Sequence, residues 1–202
     1  VGGILMYYNT CPHCGAHLDP DEHCDCLARV RGKKIRTGNC RIHGTMESSR
    51  WDGKKIFLVP MFGLQDAAHV DSVVIKDGKF EFTADTTEMK VIRIDYHYRD
   101  GVQDLLVVSE PGDIKVMVGA NSISGGTPQN DSLQVWKDQI MKFNSAYNQL
   151  RMQARQEGSD QLLMTKGKEI QNQLKEYNIS LLKRQPAGVF KDFLQNMYPS
   201  AK

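Results

Sequence analysis

The 202-residue sequence has no long apolar run, little net charge and only one cysteine beyond its first 26 residues. No apolar stretch approaches the ~18 residues that a membrane-spanning helix needs, so we expect no transmembrane segment. Lysine and arginine number 26 against 24 aspartates and glutamates, which gives a formal net charge of +2. A chain so close to neutral has no electrostatic requirement for nucleic acid, and we expect no nucleic-acid partner.

The sequence also lacks a catalytic signature. The histidines His43, His69 and His97 lie in or beside predicted strands, with no motif such as Gly-x-Ser-x-Gly nearby. His97 shares a strand face with Asp95 and Arg93, and we interpret that face as solvated surface because one side of an antiparallel sheet commonly meets water. A hydrolase needs a nucleophile, a base and an orienting acid together, so we expect no enzymatic activity.

Four of the five cysteines lie in residues 1–26, at Cys11, Cys14, Cys24 and Cys26. The run Cys-Pro-His-Cys-Gly that begins at Cys11 resembles the knuckle of zinc-ribbon proteins, in which a tight turn directs two thiolates at one ion. Four thiolates so close together suit tetrahedral zinc, and its binding free energy of about 10–16 kcal/mol can fold a short segment. We therefore predict a zinc site at these four cysteines.

The same segment leaves alternatives open. Cys24 and Cys26 are separated by one residue instead of the usual two, which makes His23 a candidate substitute ligand. The tetrapeptide Cys-Pro-His-Cys also resembles the redox site of DsbA-type oxidoreductases. However, Gly15, Pro20 and an acidic run oppose the following helix that lowers the thiol pKa in such sites. A disordered tail with incidental cysteines is the third alternative.

Residues 27–37 mark a break in composition. Five cations fall close together in this stretch: Arg29, Arg31, Lys33, Lys34 and Arg36. No aromatic residues are interleaved with them, so we interpret the stretch as a solvated basic linker. The predicted organisation is a cysteine-rich segment (1–26), this linker (27–37), a β-sandwich domain (38–120) and a helical C-terminal region (121–202).

Seven short strands are predicted between residues 35 and 118. They are residues 35–45, 55–62, 69–75, 79–83, 90–98, 102–108 and 114–118. Asp77 and Gly78 predict a tight hairpin turn between the third and fourth strands, with Phe80 and Phe82 on one buried face. No helical crossovers separate the strands, so the pattern predicts an antiparallel β-sandwich or open barrel. Cys40, in the first strand, is predicted to be a small buried thiol.

An αα-hairpin and a short helix are predicted after residue 126. Thr127 and Pro128 suit a helix start, and a second helix follows Gly158 and ends at Pro186. Apolar residues recur every three or four positions along both helices, with Gly167 filling the gap between Leu163 and Ile170; they are Leu133, Trp136, Ile140, Phe143, Tyr147, Leu150, Leu163, Ile170, Leu174, Tyr177 and Leu181. We expect this hairpin to pack on itself and on the sandwich, and to leave apolar surface for a protein partner or a homodimer.

Four short sequence motifs, in a fixed order along the chain, carry a family resemblance. They are Asp-Gly-Lys-Lys at 52–55, the hairpin sequence at 71–82, Glu-Pro-Gly-Asp-Ile at 110–114 and Gly-Thr-Pro-Gln-Asn-Asp at 126–131. Residues 38–135 therefore resemble the domain of unknown function numbered 4369. The resemblance implies a bacterial envelope lipoprotein, in which this β domain often precedes a thioredoxin-like domain that holds the redox cysteines. It implies no catalytic residues in the β domain itself.

Two classes of function follow. The first is a non-catalytic binding or scaffold module of a bacterial envelope protein, with a protein partner at the helical hairpin. The alternative is a thiol–disulfide redox accessory or metal-binding protein that acts through Cys11, Cys14, Cys24 and Cys26. The resemblance implies a periplasmic or cell-envelope location, whereas reduced zinc-binding cysteines favour the cytoplasm.

Overall fold

The computed structural model describes residues 36–94 and 101–199, together with two short strands near the N-terminus. The chain folds as two units, Val1–Ile35 and Arg36–Lys202. In the first unit, β1 (Asn9–Thr10) and β2 (His17–Leu18) form an antiparallel pair. The second unit holds eight strands followed by three helices among its described residues.

The eight strands of the second unit form two four-stranded sheets. In chain order they are β3 (Arg36–Met46), β4 (Lys55–Pro60), β5 (Asp71–Val74), β6 (Lys79–Thr86), β7 (Met89–Ile94), β8 (Leu105–Val108), β9 (Gly112–Val118) and β10 (Ile123–Gly125). Sheet I has the order β10–β9–β3–β6, and sheet II has the order β5–β4–β7–β8. Neighbouring strands are antiparallel except β3 and β9, which are parallel. The predicted antiparallel β-sandwich is thus confirmed, with one parallel pair within it.

The Asp-Gly turn is where the chain changes sheet. Asp77 and Gly78 have positive φ angles of 53° and 68°, and Lys76 and Lys79 exchange two backbone hydrogen bonds of 3.0 Å. The tight turn is therefore confirmed. The longer hairpin predicted around it is wrong, because β5 pairs with β4 in sheet II while β6 pairs with β3 in sheet I. The crossing is favourable because the residues on both sides of the turn still reach one shared core.

That core fills the space between the two sheets. Side chains alternate along each strand, so every second residue points inward. The buried residues include Ile42, Phe80 and Ile114 from sheet I and Ile56, Ile92 and Val107 from sheet II. Gly44 also faces inward, and a side chain there would collide with the ring of Phe80. A glycine in mid-strand is thus explained by the aromatic ring that occupies its side-chain position.

Strand β10 lies beyond the seven strands that the sequence predicts. Its three residues pair with β9, with Ser124 opposite Val116. The strand is too short to show the alternation by which strands are predicted.

The predicted αα-hairpin and short third helix are confirmed. Helix α1 spans Pro128–Glu157, α2 spans Asp160–Arg184 and α3 spans Val189–Met197. Between the long helices, Gly158 adopts the left-handed conformation with φ 61°. The side-chain oxygen of Ser159 then accepts a hydrogen bond from the Leu162 N–H at 3.2 Å and caps α2.

A second core joins the helices to the outer face of sheet II. Leu105 and Val107 enter the sandwich core, whereas the alternate residues Leu106 and Val108 reach the helices. There they meet Leu133, Trp136, Leu181, Phe190, Phe193 and Leu194. The ring of Trp136 lies edge-on to Phe190 at 6.2 Å and to Phe193 at 5.7 Å. The two cores together make three layers: sheet I, sheet II and the helices.

Candidate functional site

The predicted zinc ligands Cys11, Cys14, Cys24 and Cys26 lie outside the described residues, as does the alternative ligand His23. The zinc site therefore stays a prediction. Among residues 39–94 and 101–199, no three or more His, Cys, Asp and Glu side chains are arranged to hold a metal ion.

Cys40 is the buried thiol that the sequence predicts. It is 2% exposed and belongs to the sandwich core. Burial raises the pKa of this thiol to about 11, because the thiolate would lose its hydration. Cys40 is therefore a packing residue with little thiolate at neutral pH.

His43 is the centre of an exposed polar cluster on sheet I. Its Nδ1 lies 3.1 Å from Oε1 of Glu81 on β6, and its Nε2 lies 2.9 Å from Oδ1 of Asp113 on β9. The hydrogen bond to Asp113, followed by the one to Glu81, raises the pKa of His43. The same hydrogen bond lowers the pKa of Asp113. The imidazole thus links three neighbouring strands on their solvent face.

This cluster is a poor catalytic or metal site for a geometric reason. Both ring nitrogens of His43 already have carboxylate partners, so neither is free to take a proton from a substrate. The two nitrogens also point to opposite sides of the ring, which keeps the two carboxylates from meeting at one ion. Of the other histidines, His69 bonds through Nδ1 to Asp66 in its own loop. His97 and its neighbour Asp95 lie outside the described residues.

Glu110 accepts hydrogen bonds from the first turn of α1. Its Oε1 accepts from the backbone N–H of Gln129 at 2.6 Å and of Asn130 at 3.3 Å, and its Oε2 accepts from the side-chain amide of Gln129 at 3.0 Å. The first N–H groups of a helix have no partner inside the helix, and a carboxylate there also complements the helix dipole. Glu110 therefore fixes where α1 begins.

Asn130 joins the same helix turn to the edge of sheet II. Its Oδ1 accepts from the Val108 N–H at 2.9 Å, and its Nδ2 donates to the Val108 carbonyl at 2.8 Å and to Oγ1 of Thr127 at 2.8 Å. The side-chain amide thus pairs with β8 as another strand would. We call Glu110, Gln129, Asn130, Val108 and Thr127 the root network.

Two further side chains of α1 cover the edges of the sheets. Oε1 of Gln134 accepts from the Ser124 N–H on β10 at 2.9 Å. Nζ of Lys137 donates to the Leu106 carbonyl on β8 at 3.5 Å. Burial lowers the pKa of Lys137 to about 8. Asn130, Gln134 and Lys137 follow one another at helical spacing, so a single face of α1 covers the β8 edge of sheet II and the β10 edge of sheet I.

The other motifs of the family resemblance also make structural contacts. Oδ1 of Asp52 accepts from the Gly78 N–H at 2.7 Å and so joins the motifs at 52–55 and 71–82. Oδ1 of Asp131 accepts from the Gly126 N–H at 2.9 Å within the motif at 126–131. With the root network, all four motifs are explained by turns and by the attachment of α1.

The helical hairpin is held firmly only at its base. Nε1 of Trp136 donates to Oδ1 of the buried Asn178 at 3.0 Å, which ties α1 to α2. The Phe190 N–H donates to Oε1 of Gln129 at 3.0 Å, which ties α3 to the start of α1. Moving away from the sandwich, Ile140 on α1 and Tyr177 on α2 are the last residues that pack against the second core.

Beyond this base the two helices form an arm, residues 141–176, whose apolar contacts are only partly covered. Five residues of the apolar stripe are half-buried, and we call them the seam: Phe143, Tyr147, Leu163, Ile170 and Leu174. The rings of Phe143 and Tyr177 lie 6.1 Å apart. Close approach of Tyr147 relies on Gly167, because a Cβ there would lie 3.2 Å from its ring. The seam is the candidate functional site, since half-covered aromatic and aliphatic side chains suit a binding surface.

None of the described helices is both long and apolar enough to cross a membrane. Residues 40–133, just under half of the chain, match the model of the family described as Domain of unknown function (DUF4369). Searches of curated proteins and of solved structures each gave no match. The matched segment contains the sandwich from Cys40 onward and the start of α1, and it ends before the arm begins.

Proposed function

We propose that this chain is a non-catalytic protein-binding module of the bacterial cell envelope, in which the sandwich anchors the arm and the seam binds a protein partner. The observation that carries the proposal is the difference in burial between the base of the hairpin and the middle of the arm. At the base Leu133 is 0% exposed and Trp136 is 7% exposed. Along the arm the seam residues of the same stripe stay partly exposed. Burial returns at Leu150 and Ala154, near the end of α1, which are 7% and 6% exposed.

The polar chemistry of the described residues supports a non-catalytic role. The buried polar side chains of the root network are all hydrogen-bonded to backbone groups or to each other. The exposed histidine cluster has no free ring nitrogen. A catalytic group must instead be able to meet a substrate and exchange a proton or an electron pair with it.

The size of the arm suits a helical partner. Each helix rises about 1.5 Å per residue, so the arm offers about 25 Å of helix pair. An amphipathic helix laid along the seam would cover Phe143, Tyr147 and Ile170 in the manner of a three-helix bundle. Exclusion of water from these side chains would then supply the binding free energy.

A photo-cross-linking experiment tests the proposal. The full chain carries benzoylphenylalanine in place of Phe143 on the seam, and the control carries it in place of Met152. Met152 is 62% exposed and lies on the opposite face of α1 by helical spacing. After irradiation in source cells, we expect one dominant protein adduct from position 143 that is absent from position 152. No adduct from position 143, or identical adducts from both positions, would refute binding at the seam.

The envelope location is tested separately. A fusion of the chain's native gene to alkaline phosphatase is active only if it is exported. We expect activity in the periplasmic fraction. A fusion that becomes active only after a foreign export signal is added to it would contradict this part of the proposal.

The N-terminal cysteines support a separate proposal, zinc binding by Cys11, Cys14, Cys24 and Cys26. The purified full chain should contain about one equivalent of zinc, and thiol reagents should label these residues only after chelation. The redox alternative predicts insulin reduction that is lost in Cys11→Ser. Absence of zinc together with turnover in that assay would replace the zinc proposal with the redox one.

A further inference from the structure

The two helices of the arm differ in charge. Residues 139–156 of α1 include no acidic residue and three cations, which are Lys142, Arg151 and Arg155. In α2, residues 160–176 include three acidic residues and three lysines, so their charges balance. The cationic side of the arm is therefore α1, and its charge can contribute to the choice of partner.

Two of these cations continue the aromatic row of the seam. Four residues of α1 follow one another at intervals of four, and we call them the ridge: Phe143, Tyr147, Arg151 and Arg155. Residues at this interval form one continuous row on a helix surface. At a rise of about 1.5 Å per residue, the ridge is about 18 Å long. Its aromatic half lies toward the base of the hairpin, and its cationic half lies toward the tip.

Both arginines of the ridge are available to a partner, because both are exposed. Within the part of the chain that the structure describes, ion pairs are formed by His43, His69 and Lys90, and none involves Arg151 or Arg155. A guanidinium group can bind a carboxylate through two parallel hydrogen bonds. The cationic half of the ridge thus suits acidic side chains, just as the aromatic half suits apolar ones.

We propose, on the basis that the seam binds a protein partner, that this partner is an acidic amphipathic helix that lies along the ridge. Its apolar residues cover Phe143 and Tyr147, and two carboxylates one helical turn apart bind Arg151 and Arg155. Complementary charge fixes the orientation of a partner, so the acidic end of the docked helix lies at the tip of the arm. A second copy of α1 on the ridge would bring like charges together, which is unfavourable.

A pair of synthetic helical peptides tests the proposal with the full chain. Both peptides have about 18 residues, which is about five helical turns, and both carry the same leucine face. Beside that face, two positions one turn apart near one end are glutamate in the acidic peptide and lysine in the basic one. Fluorescence anisotropy measures the two dissociation constants. We expect the acidic peptide to bind about tenfold more tightly, because two attractive contacts replace two repulsive ones.

Two variants of the chain assign this preference to the ridge. Arg151→Gln/Arg155→Gln removes both guanidinium groups and keeps the aromatic half, so the two peptides should then bind equally. Lys142→Glu is the control, since it changes the net charge by the same amount and lies on the opposite side of α1 by helical spacing. In this control the acidic peptide should keep its advantage, because salt screens charges that do not contact each other.

The outcomes separate this proposal from the binding role of the seam. Equal affinities of the two peptides for the native chain would overturn the acidic partner and leave binding at the seam intact. A preference that survives in Arg151→Gln/Arg155→Gln would do the same, because the charge would then be recognised elsewhere. If neither peptide binds, the acidic partner is also overturned, and cross-linking at position 143 decides separately whether the seam binds a protein.

A membrane surface is the competing use of the two arginines. The native chain might then sediment with phosphatidylglycerol vesicles and not with phosphatidylcholine vesicles, and Arg151→Gln/Arg155→Gln would abolish that binding. Such a result without a preference between the peptides would overturn the acidic helix in favour of anionic lipid.

Discussion

Replacing Asn130 with aspartate is expected to loosen the base of α1, because it removes two hydrogen-bond donors without changing the shape of the side chain. In the native protein Nδ2 donates to the Val108 carbonyl and to Thr127 Oγ1, both at 2.8 Å. The side chain is 0% exposed. In Asn130→Asp a carboxylate oxygen faces the Val108 carbonyl oxygen with no hydrogen between them.

The magnitude follows from the groups that lose a partner. A buried polar group without a partner costs about 1–3 kcal/mol, and an uncompensated buried charge costs about 3–5 kcal/mol. The Thr127 hydroxyl can rotate and donate to the new carboxylate, so these costs do not simply add. We expect the free energy of unfolding to fall by about 4 kcal/mol, a large part of the 5–15 kcal/mol of a typical domain.

Urea unfolding followed by circular dichroism and tryptophan fluorescence measures this change. The control is Asn144→Asp, the same substitution at an exposed position of α1, and it should change the free energy by less than about 0.5 kcal/mol. Burial raises the pKa of the new carboxyl in the folded state above its unfolded value of about 3.9. The destabilisation should therefore be full at neutral pH and shrink as the pH falls through the folded pKa.

The result that would refute this reasoning is equally specific. A loss below about 1 kcal/mol at neutral pH would mean that Asn130 does not support the Val108 edge as the hydrogen bonds indicate. A loss of the same size at neutral and acidic pH would mean that packing, and not the missing donors, determines the effect.

Three further predictions concern single titratable residues. His43 should titrate by NMR with a pKa above the usual value of about 6.5, and Asp113→Asn should lower that pKa. The stabilisation from this cluster is present below the pKa of His43 in the unfolded chain, and it is lost as the pH rises through the pKa of His43 in the folded protein. Cys40 should resist pulse labelling by a thiol reagent in native buffer and react fully in denaturant, since its pKa is raised to about 11. The pKa of Lys137 is lowered to about 8, so the native protein should gain roughly 1–2 kcal/mol as the pH rises from about 8 to 10.5, and Lys137→Met should remove that gain. Labelling of native Cys40, a normal His43 titration, or an unchanged pH slope in Lys137→Met would each contradict its prediction.

Local periodicity explains why the elements themselves were predictable. Phe80 and Phe82 alternate with charged residues, and both are 4% exposed, as a strand with one buried face requires. The step of three or four from Leu133 to Leu150 likewise marked α1, which begins at Pro128 as predicted. Each of these signals lies within one element, where a single face meets one core.

The division of strands between two sheets was not predictable in this way. Strands of sheets I and II show the same alternation, because both point every second residue into the same core. Nothing in the residues around Asp77 distinguishes a hairpin from a crossing between sheets. The parallel pairing of β3 with β9 is equally hidden, since residues about 70 positions apart in sequence meet there.

The root network was missed, although the sequence contains a signal for it. Asn130 lies three residues before Leu133, in phase with the apolar stripe of α1. Asn178 lies three residues before Leu181, in phase with that of α2. A polar residue on a buried helical face must find a partner, and here the partners are Val108 and Trp136. The sequence could have identified both asparagines as anchoring residues, but their partners come from other elements and required the fold.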